Sequence, residues 1–531
     1  MTTLVDRPGT GRPGAGSAAP RLTAEQAGHL RHIDNLSRLP RGDWRHMAGP
    51  LPMQEDFNAY RYQLGYMSLA LALAHYHRLP AAPVVFHDTL DRLIQRMLEP
   101  DVWTYWRDTS TQGGFGPIDL PQLPSRTDPV AVDNIMYSAY LQMMTLLFTM
   151  LFDDRRYEQP DSLTFAFRPI LFGRDRRDSF AYDQRTLNER IYWNMVRNGY
   201  LGVACEPFCV FQICNQIPIL GFRLHDHLYG GQTAEEVMEG YRRAWSQFGD
   251  GVGPDGHFAK FVVQRNDLLP TDLLIDQGSA WTDAWLGMLL NMWRPELVRD
   301  TYRDKLENWI DPTPEGTIAV RNLALPPGAE GLAEPGLHSE FGWVAGWASE
   351  MGDRATLEGL FRHADTVMNP QWDKGGLYYP RHDATYDTAG RFASMTPTVS
   401  NAMLPYARLN VEDGLRTLFQ RPWTDRDRQR PALTGRDDDV DVLRAVYDDE
   451  KDHLALSVAP RHGLTTVAAT LTISRVAPRP WTLLVDGEPV ARSEDAATDA
   501  GRGIGVRRTP DTLTVSLPLE GVRDVDVQWR R

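Results

Sequence analysis

Three shortages limit the kind of protein that this sequence can encode. Cysteine occurs three times in 531 residues, at positions 205, 209 and 214, which is too few and too clustered for a disulfide scaffold. The densest apolar stretch, MMTLLFTMLF at 143–152, is shorter than the run of about 18 to 20 residues that a membrane span needs. Residues 1–20 lack the apolar core of a secretory signal. We therefore predict a disordered leader over residues 1–20, no membrane span and a cytoplasmic location.

Positive charge is also in short supply. Lysine and arginine number 56 against 70 acidic residues, which gives a formal net charge of -14. Nucleic acids and anionic membranes attract basic surfaces, so neither is expected as the main partner. With 42% hydrophobic residues, the chain is globular and long enough for one large domain and a smaller one. A small neutral or cationic substrate fits its charge.

Strand patterns are weak over most of the chain, where the spacing of apolar residues is helical. Strong helical stretches are FNAYRYQLGYMSLALALAHYHRL, AVDNIMYSAYLQMMTLLFTMLF, TAEEVMEGYRRAWSQFG and SAWTDAWLGMLLNMW. About a dozen such helices over residues 21–420, without a visible sequence repeat, favour a toroid of helical hairpins around a central cavity. A solenoid is the alternative.

The sequence period changes after residue 420. Residues 421–436, RPWTDRDRQRPALTGR, are highly charged and are interpreted as a linker. Beyond them apolar and polar residues alternate, for example over 513–519 and 525–529, and Asp486-Gly487 is a hairpin turn signal. The sequence thus predicts a mainly α protein that carries a small β-sandwich domain over residues 437–531.

The three cysteines share the segment CEPFCVFQIC. Pro207 is tolerated at the first position of a helix, which would place Cys205 just before the helix start. A thiol there feels the positive end of the helix dipole, and its pKa can fall below the ordinary value. Cys209 would lie near the first turn and Cys214 two turns further in, on the order of 10 Å or more from Cys205. On this hypothesis Cys205 and Cys214 bracket a ligand.

The same segment has a structural interpretation. Buried cysteines often serve as small hydrophobic residues, so a helix carrying three of them can belong to the core. A zinc site is disfavoured, because the spacings differ from the usual C-x2-C and His225 would lie about 16 Å from Cys214 along one helix. We therefore expect no metal in this protein.

The segment DFNAYRYQLGYM supplies a carboxyl group and phenols. Asp56 occupies the position of a helix N-cap, which is an ordinary feature, and Tyr62 and Tyr66 follow one helical turn apart. In a toroid of hairpins the inner helices run parallel, so Asp56 and Cys205 are expected at the same mouth of the cavity. Tyr62 and Cys214 would lie deeper.

The segment DNIMYSAY places Met136 and Tyr140 four residues apart, on one face of a helix. Side chains of this kind at helical spacing fill protein cores far more often than they line active sites. Core packing is therefore the default interpretation of this pair.

Read together, these segments resemble the linalool dehydratase/isomerase family. The resemblance extends over about residues 28–423 and is carried by DFNAYRYQLGYM, DNIMYSAYLQMM, CEPFCVFQICNQIPILGFRLHD, SAWTDAWLGMLLNMW and NAMLPYARLNVEDG, in that order. It implies an (α/α)6 toroid that works without metal or organic cofactor on terpenoid allylic alcohols, adding or removing water and shifting the hydroxyl group. The implied partner is a small hydrophobic terpenoid substrate.

The resemblance also assigns residues to a site. The family's pair of active-site cysteines matches Cys205 and Cys214, and Cys209 is additional. The family's acidic aspartate and the tyrosine six residues later match Asp56 and Tyr62. The residues expected to contact the substrate are Met136, Phe211, Trp281 and Tyr66.

One position departs from the family pattern. The family has a histidine four residues after its pocket methionine, where this sequence has Tyr140. Histidine exchanges protons near pH 7, whereas tyrosine, with a pKa near 10, mainly donates a hydrogen bond. The proton transfers, the substrate or both are therefore expected to differ from the named family activity. The appended β domain is a second departure.

Several functions stay open on the sequence alone. The leading hypothesis is acid-base dehydration, hydration or isomerisation of an isoprenoid alcohol, since an acid must protonate the leaving hydroxyl and a base must take a proton from carbon. The reacting groups would be Asp56, Tyr62, Cys205, Cys214 and Tyr140. The alternatives are a protonation-initiated terpenoid cyclase, a carbohydrate-active toroid enzyme, which needs a pair of cleft carboxylates, and a non-catalytic protein that binds a hydrophobic ligand. A toroid with long loops is also compatible with a homo-oligomeric ring.

Overall fold

The computed structural model describes residues 20–530 except 50–53, 55, 112–119, 168–177, 322–338, 477–478, 495–497 and 500–502. The predicted leader over residues 1–20 lies outside the described residues, apart from its last position. The chain divides into two compact units. The larger unit consists of Gly28–His77 and Phe86–Arg428, and the smaller of Gln429–Arg531 together with Arg78–Val85 and the chain up to Ala27.

Helices dominate the larger unit. In chain order the helices are α1 (Ala24–Ser37), α2 (Tyr60–His77), α3 (His87–Met97), α4 (Pro100–Trp103), α5 (Trp106–Thr109), α6 (Ile135–Phe152), α7 (Gln184–Arg197), α8 (Ile217–Tyr229), α9 (Thr233–Trp245), α10 (Ala280–Leu290), α11 (Pro295–Val298), α12 (Tyr302–Glu307), α13 (Glu340–Glu350), α14 (Arg354–Val367), α15 (Leu404–Leu409), α16 (Gly414–Gln420) and α17 (Asp425–Arg428). The four helical stretches named from the sequence correspond to α2, α6, α9 and α10.

Six of these described helices form the inner layer of a toroid. α2 packs against α6, α6 against α8, α10 against α13, α13 against α15, and α15 packs back on α2. The chain returns from inner helices through outer ones, as from α2 to α3, α6 to α7, α8 to α9 and α13 to α14. The helices α2, α6, α10 and α13 are buried over nearly their whole length, and apolar residues therefore occur on all of their sides. This is the toroid of helical hairpins that the periodicity predicts.

Helix α6 is strongly apolar. Its 18 residues have a mean hydropathy of 1.5, so by length and composition it could cross a membrane. In the structure 94% of the helix is buried within the protein. A core helix passes the same test of length and hydropathy, and one such helix is weak evidence for a span.

Short strands connect the helices of the larger unit. They are β1 (Leu163–Phe167), β2 (Asp178–Tyr182), β3 (Cys209–Phe211), β4 (Phe261–Val263), β5 (Leu273–Ile275), β6 (Ile310–Pro312), β7 (Ile318–Val320), β8 (Gln371–Asp373) and β9 (Gly376–Tyr378). The pairs β1-β2, β6-β7 and β8-β9 are hairpins, and β3, β4 and β5 form an antiparallel sheet. Most of these strands have three residues, too few for an alternating pattern to show in the sequence.

The smaller unit is rich in β-structure. Its strands are β10 (Ala432–Arg436), β11 (Val440–Asp448), β12 (His453–Pro460), β13 (Val467–Ser474), β14 (Trp481–Val485), β15 (Glu488–Arg492), β16 (Thr498–Asp499), β17 (Gly505–Arg508), β18 (Thr512–Leu519) and β19 (Arg523–Trp529). They form two antiparallel sheets in the orders β10-β13-β18-β17-β16 and β11-β12-β19-β14-β15. Asp486 and Gly487 have φ of +51° and +80°, the left-handed values that a two-residue hairpin turn needs.

The boundary of this unit differs from the predicted one. The proposed linker, residues 421–436, holds α17 and the strand β10. The unit also recruits chain from further upstream, because the Leu433 N–H donates to the Ala81 carbonyl over 2.8 Å and the Ala81 N–H donates to the Ala445 carbonyl over 3.0 Å. The Leu22 N–H likewise donates to the Leu443 carbonyl over 2.7 Å. Charged residues suggested a linker, but residues of β10 pair with β13, Leu433 with Ile473 and Arg436 with Leu471.

Candidate active site

The cysteine segment is a closed loop and not a helix. Cys209–Phe211 forms β3, which pairs with β4, and helix α8 begins only at Ile217. The predicted helix start at Pro207 is therefore wrong. The chain turns back on itself because the Cys205 N–H donates to the Cys209 carbonyl over 2.9 Å.

Asn215 closes this loop. Its side-chain oxygen accepts from the Val203 N–H over 2.8 Å, and its amide nitrogen donates to the carbonyls of Val203 over 3.0 Å and Phe211 over 2.8 Å. The Asn134 N–H, just before α6, donates to the Cys205 carbonyl over 3.2 Å. The first N–H groups of a helix lack intrahelical partners, so the loop satisfies one of them. Cys205 is thereby fixed at the start of α6.

The loop brings two thiols together. Cys205 and Cys214 are both buried, and the Cys214 side chain lies close enough to Cys205 to raise its pKa. The predicted separation on the order of 10 Å along a helix is therefore wrong. Burial raises the pKa of Cys205 well above its ordinary value, and the neighbouring Cys214 and Glu206 raise it further. The predicted lowering by a helix dipole is also wrong, because α8 starts only after Cys214.

The third thiol lies in the adjacent strand. Burial, followed by the charge of Glu206, raises the pKa of Cys209, and all three cysteines are free. Among the described residues no group of three or more His, Cys, Asp or Glu side chains is placed to hold a metal ion. The polar groups that the site presents are thiols, phenols, carboxyls and a guanidinium.

Tyr62 and Met136 join two inner helices beside the thiols. The Tyr62 hydroxyl on α2 donates to the Met136 sulfur on α6 over 3.4 Å. Burial raises the pKa of Tyr62 well above its ordinary value, Arg61 opposes this shift, and Cys214 and Cys205 add to it. The structure therefore places Tyr62, Met136 and both thiols in one buried cluster. Their chemical roles stay predictions.

A buried arginine was missed by the sequence analysis. Arg61 is 1% exposed, and its guanidinium lies 4.0 Å from the Tyr105 ring centre and 4.6 Å from that of Tyr62. It also donates to the Met136 sulfur over 3.5 Å. Burial lowers its pKa, but Tyr105, Tyr62 and Glu206 outweigh that effect and raise it. The site thus holds a buried cation that contacts Tyr62 and Met136 and is stabilised by the charge of Glu206.

Tyr140 packs directly against the backbone of α2. A Cβ atom at Gly65 would lie 2.5 Å from Tyr140 Cδ1, so only glycine admits the ring there. The ring meets those of Tyr62 and Tyr66 edge to face, with centroids 5.8 and 5.7 Å apart. Its hydroxyl has no hydrogen-bond partner of good geometry within the described residues. Burial, and then the charges of Tyr66 and Cys214, raise the pKa of Tyr140, so this phenol stays protonated at neutral pH.

Aromatic rings from α10 and α13 form a wall beside these groups. Trp285 donates a hydrogen bond to the Tyr66 hydroxyl and stacks on Trp343, with ring centroids 3.9 Å apart. Trp281, one turn before Trp285, meets Phe57 at 4.8 Å. Tyr66 and Trp281 were predicted from the sequence. Trp285, Trp343 and Phe57 were not, although the four-residue spacing of the tryptophans on α10 was a usable signal.

Phe211 extends the wall from the cysteine loop. Its ring stacks on that of Phe261 in β4, with centroids 4.4 Å apart. Lys260 precedes Phe261, and its ammonium group lies 5.8 Å from the Trp281 ring centre. The sheet β3-β4 therefore connects the cysteine loop to the start of α10.

Asp56 does not cap α2. The Tyr60 N–H donates instead to the Gln54 side chain over 2.7 Å, and Asp56 accepts from the Asn58 N–H over 3.0 Å in a local turn. Burial raises the pKa of Asp56, while its hydrogen bonds from Asn58 and the charge of Arg61 lower it. Among the described residues no hydrogen bond links Asp56 to Tyr62 or to the thiols. It lies before the start of α2, next to Phe57 of the wall.

The arrangement defines the class of protein. It is a mainly α toroid of helical hairpins, joined to a β-rich unit, with paired thiols, phenols and an aromatic wall at the starts of the inner helices. The family model described as linalool dehydratase/isomerase matches residues 61–385, and the chain belongs to this family. The match includes every predicted site residue except Asp56, which precedes it.

Solved structures similar to this chain have low identities. An inactive variant of an α-1,6-mannanase of Salegentibacter sp. HEL1_6 is 11% identical, with a TM-score of 0.39, over 72% of this chain and 99% of its own. An unsaturated glucuronyl hydrolase specific for heparin is 7% identical, with a TM-score of 0.41, over 75% of this chain and 96% of its own. A β-L-arabinofuranosidase from Geobacillus stearothermophilus T6 is 11% identical, with a TM-score of 0.30, over 95% of this chain and 76% of its own.

Proposed function

We propose that this protein is a lyase and isomerase of isoprenoid allylic alcohols, which removes, adds or moves the hydroxyl group without a metal or an organic cofactor. The observation that carries the proposal is the convergence of Tyr62, Met136, Cys205 and Cys214 in one buried cluster of a chain that belongs to the linalool dehydratase/isomerase family.

The types of groups at the site suit this chemistry. Hydroxide is a poor leaving group, so an acid must protonate the hydroxyl as the carbon-oxygen bond breaks. The raised pKa values of Tyr62 and Cys205 keep both groups protonated at neutral pH, so that each can donate a hydrogen bond to the leaving oxygen. The contact between Cys205 and Cys214 provides a path by which a proton passes from one thiol to the other. A thioether to substrate carbon is an alternative role for either thiol.

The wall would stabilise the intermediate. Loss of water from an allylic alcohol leaves an allylic cation, and aromatic faces attract cations through their negative quadrupole. Trp281 and Trp285 on α10 and Phe211 on β3 present such rings near the thiols and phenols. Burial of the cluster also limits access of water to the cation.

A terpenoid cyclase initiated by protonation is the second candidate, and Tyr140 is the residue that favours it. The family histidine could take a proton back from carbon near pH 7, whereas the buried phenol of Tyr140 remains protonated. A cation that loses no proton at this position has more time to add to a double bond within the same molecule.

A mass-spectrometric screen of linear and cyclic terpene alcohols tests the proposal. Alkene, alcohol or rearranged alcohol from a linear substrate supports the lyase and isomerase function, and a ring-closed product supports the cyclase. If no alcohol in the screen is converted, both proposals fail and a ligand-binding protein becomes the better account.

A further inference from the structure

Glu340 is a buried carboxyl group that the site described so far does not use. It is the first residue of the inner helix α13 and is 5% exposed. Its Oε2 atom has no hydrogen-bond partner within the part of the chain that the structure describes. One turn later on the same face, Trp343 stacks on Trp285 of the wall. Glu340 therefore lies on the helix that carries the wall, at the end where the inner helices begin.

The charge of Lys260 acts on this carboxyl group. Burial raises the pKa of Glu340 to about 8, while a hydrogen bond from its own backbone and then the charge of Lys260 counteract part of that rise. Lys260 is partly buried, and its ammonium lies 5.8 Å from the Trp281 ring centre. Burial lowers the pKa of Lys260, and Glu340 opposes that shift. The two charges thus act on each other, and the described residues include no direct ion pair between them.

Glu340 is better suited to donate a proton than the other groups of the site. A proton donor becomes more effective as its pKa approaches the working pH, and burial moves the pKa values of Tyr62, Tyr140 and Cys205 away from neutrality. The carboxylate oxygens of Asp56 are engaged by the Asn58 backbone and side chain.

We propose that the Glu340 carboxylic acid donates the proton to the hydroxyl oxygen of the substrate, with Lys260 positioned to stabilise the carboxylate that remains. This inference rests on the function proposed above. The proton moves from Glu340 Oε2 to the hydroxyl oxygen, the carbon-oxygen bond breaks, and its electron pair leaves with water. The cation then loses a proton from the adjacent carbon to the Asp56 carboxylate, and the carbon-hydrogen electron pair forms the new double bond. Exchange with solvent returns both carboxyls to their starting states, so that the alcohol gives alkene and water.

Glu340→Gln tests this role because it keeps the shape of the side chain and removes the acidic proton. At about pH 7 we expect turnover of a linear allylic terpene alcohol to fall by about a hundredfold or more, the range typical of a lost general acid. The KM should change little, and Glu340→Asp should restore part of the activity. Glu358→Gln, on the exposed face of α14, is the control and should leave turnover unchanged. Turnover of Glu340→Gln within about threefold of the wild type overturns the proposal.

The pH dependence gives a second readout. Wild-type turnover should decline above about pH 8, where Glu340 ionises, and the residual turnover of Glu340→Gln should lack this decline. Retention of the same decline by the variant contradicts the role.

Infrared spectroscopy keeps the inference testable if the glutamine variant does not fold. The carboxylic acid C=O band of wild-type protein should disappear with a midpoint near pH 8, and Glu340→Asp should shift that midpoint. A Glu340 that is already ionised at about pH 6 overturns the proposal. Failure of the proposed function can be told apart from failure of this inference. A wild type that converts no alcohol refutes both. A wild type and a Glu340→Gln variant that are equally active refute only the role of Glu340.

Discussion

The Tyr62 hydroxyl donates a hydrogen bond to the Met136 sulfur over 3.4 Å, which links the first turns of α2 and α6. Arg61 donates to the same sulfur, so one thioether orients a phenol and a guanidinium. The contact joins in one site the segments that contain Tyr62 and Met136, which were identified separately in the sequence.

Met136→Leu should separate the effect of the sulfur on the orientation of Tyr62 and Arg61 from its effect on the stability of the fold. Leucine has a similar volume, so the free energy of unfolding should fall by less than about 1.5 kcal/mol. Turnover should fall by about tenfold, because Tyr62 and Arg61 both lose an acceptor. Steady-state kinetics with a linear terpene alcohol and thermal unfolding provide the two measurements. Met143→Leu, at a buried position of the same helix, is the control, and equal effects of the two substitutions on turnover would show that the sulfur has no special role.

The thiols should contribute unequally. Cys205→Ala and Cys214→Ala should each lower turnover by about a hundredfold or more. Each substitution removes one of the two neighbouring thiols from the cluster that is proposed to carry the acid-base chemistry. Cys209→Ala should retain most of the wild-type activity, since Cys209 belongs to β3 and is the additional cysteine. Circular dichroism establishes that each variant is folded, and product analysis gives the rates. Full activity of both Cys205→Ala and Cys214→Ala rules out these roles.

Cys205 should also react slowly with iodoacetamide. The nucleophile in alkylation is the thiolate, and burial with the neighbouring Cys214 and Glu206 raises the pKa of Cys205, so little thiolate exists at neutral pH. Mass spectrometry of labelled peptides measures the rate against that of a free cysteine. Rapid labelling of Cys205 in the folded protein would contradict the raised pKa and favour the activated thiol that a helix dipole would produce.

Tyr140→Phe should be well tolerated by the fold. The hydroxyl interacts with that of Tyr66 but forms no hydrogen bond of good geometry within the described residues, so its removal should change the free energy of unfolding by less than about 1 kcal/mol. If Tyr140 only fills the space beside Gly65, turnover should persist as well. A large loss of turnover with unchanged stability would instead assign the phenol a part in the reaction. Tyr66→Phe is the comparison, because its hydroxyl accepts a hydrogen bond from Trp285.

Stability should depend on pH through Glu340. The carboxyl has an ordinary pKa of 4.5 but a pKa of about 8 in the folded protein. Between these values the folded state keeps a proton that the unfolded chain has released, so the free energy of unfolding falls as the pH rises through this window. Urea unfolding followed by tryptophan fluorescence at about pH 5 and about pH 8 should show a smaller fall for Glu340→Gln than for the wild type. Identical falls in the two proteins would mean that Glu340 does not carry the effect.

Elements with a long apolar pattern could largely be predicted from the sequence. Helices such as α2 and α6 run for 18 residues each, enough turns for their apolar spacing to be distinctive. Strands β3 and β4 have three residues each and are specified by pairing with each other, which local spacing does not encode. Residues of β10 were assigned to a linker for the same reason.

The cysteine loop shows why part of the site was mispredicted. Pro207 and Pro218 both satisfy the rule that proline suits the first turn of a helix, and the structure uses Pro218. The choice depends on Asn215 binding Val203 and on Asn134 binding Cys205, contacts between residues that are distant in sequence.

Sequence motifs pointed to Tyr62, Met136 and the cysteines of the candidate site. They did not point to its buried charged residues. Arg61 and Glu340 look like ordinary surface residues in the sequence, since Arg and Glu are rarely buried. Their burial follows from neighbouring helices, and only the folded chain shows that Arg61 lies over the Tyr105 ring and Glu340 near the wall.

Incorporation of heavy oxygen from labelled water tests the central claim most directly. The enzyme is incubated with a linear allylic terpene alcohol in water enriched in heavy oxygen, and the recovered alcohols are analysed by mass spectrometry. If the carbon-oxygen bond breaks and re-forms at this site, wild-type protein should introduce the label into recovered or isomerised alcohol, and Cys205→Ala should introduce far less. Conversion of the alcohol into products that all retain the original oxygen would contradict the account.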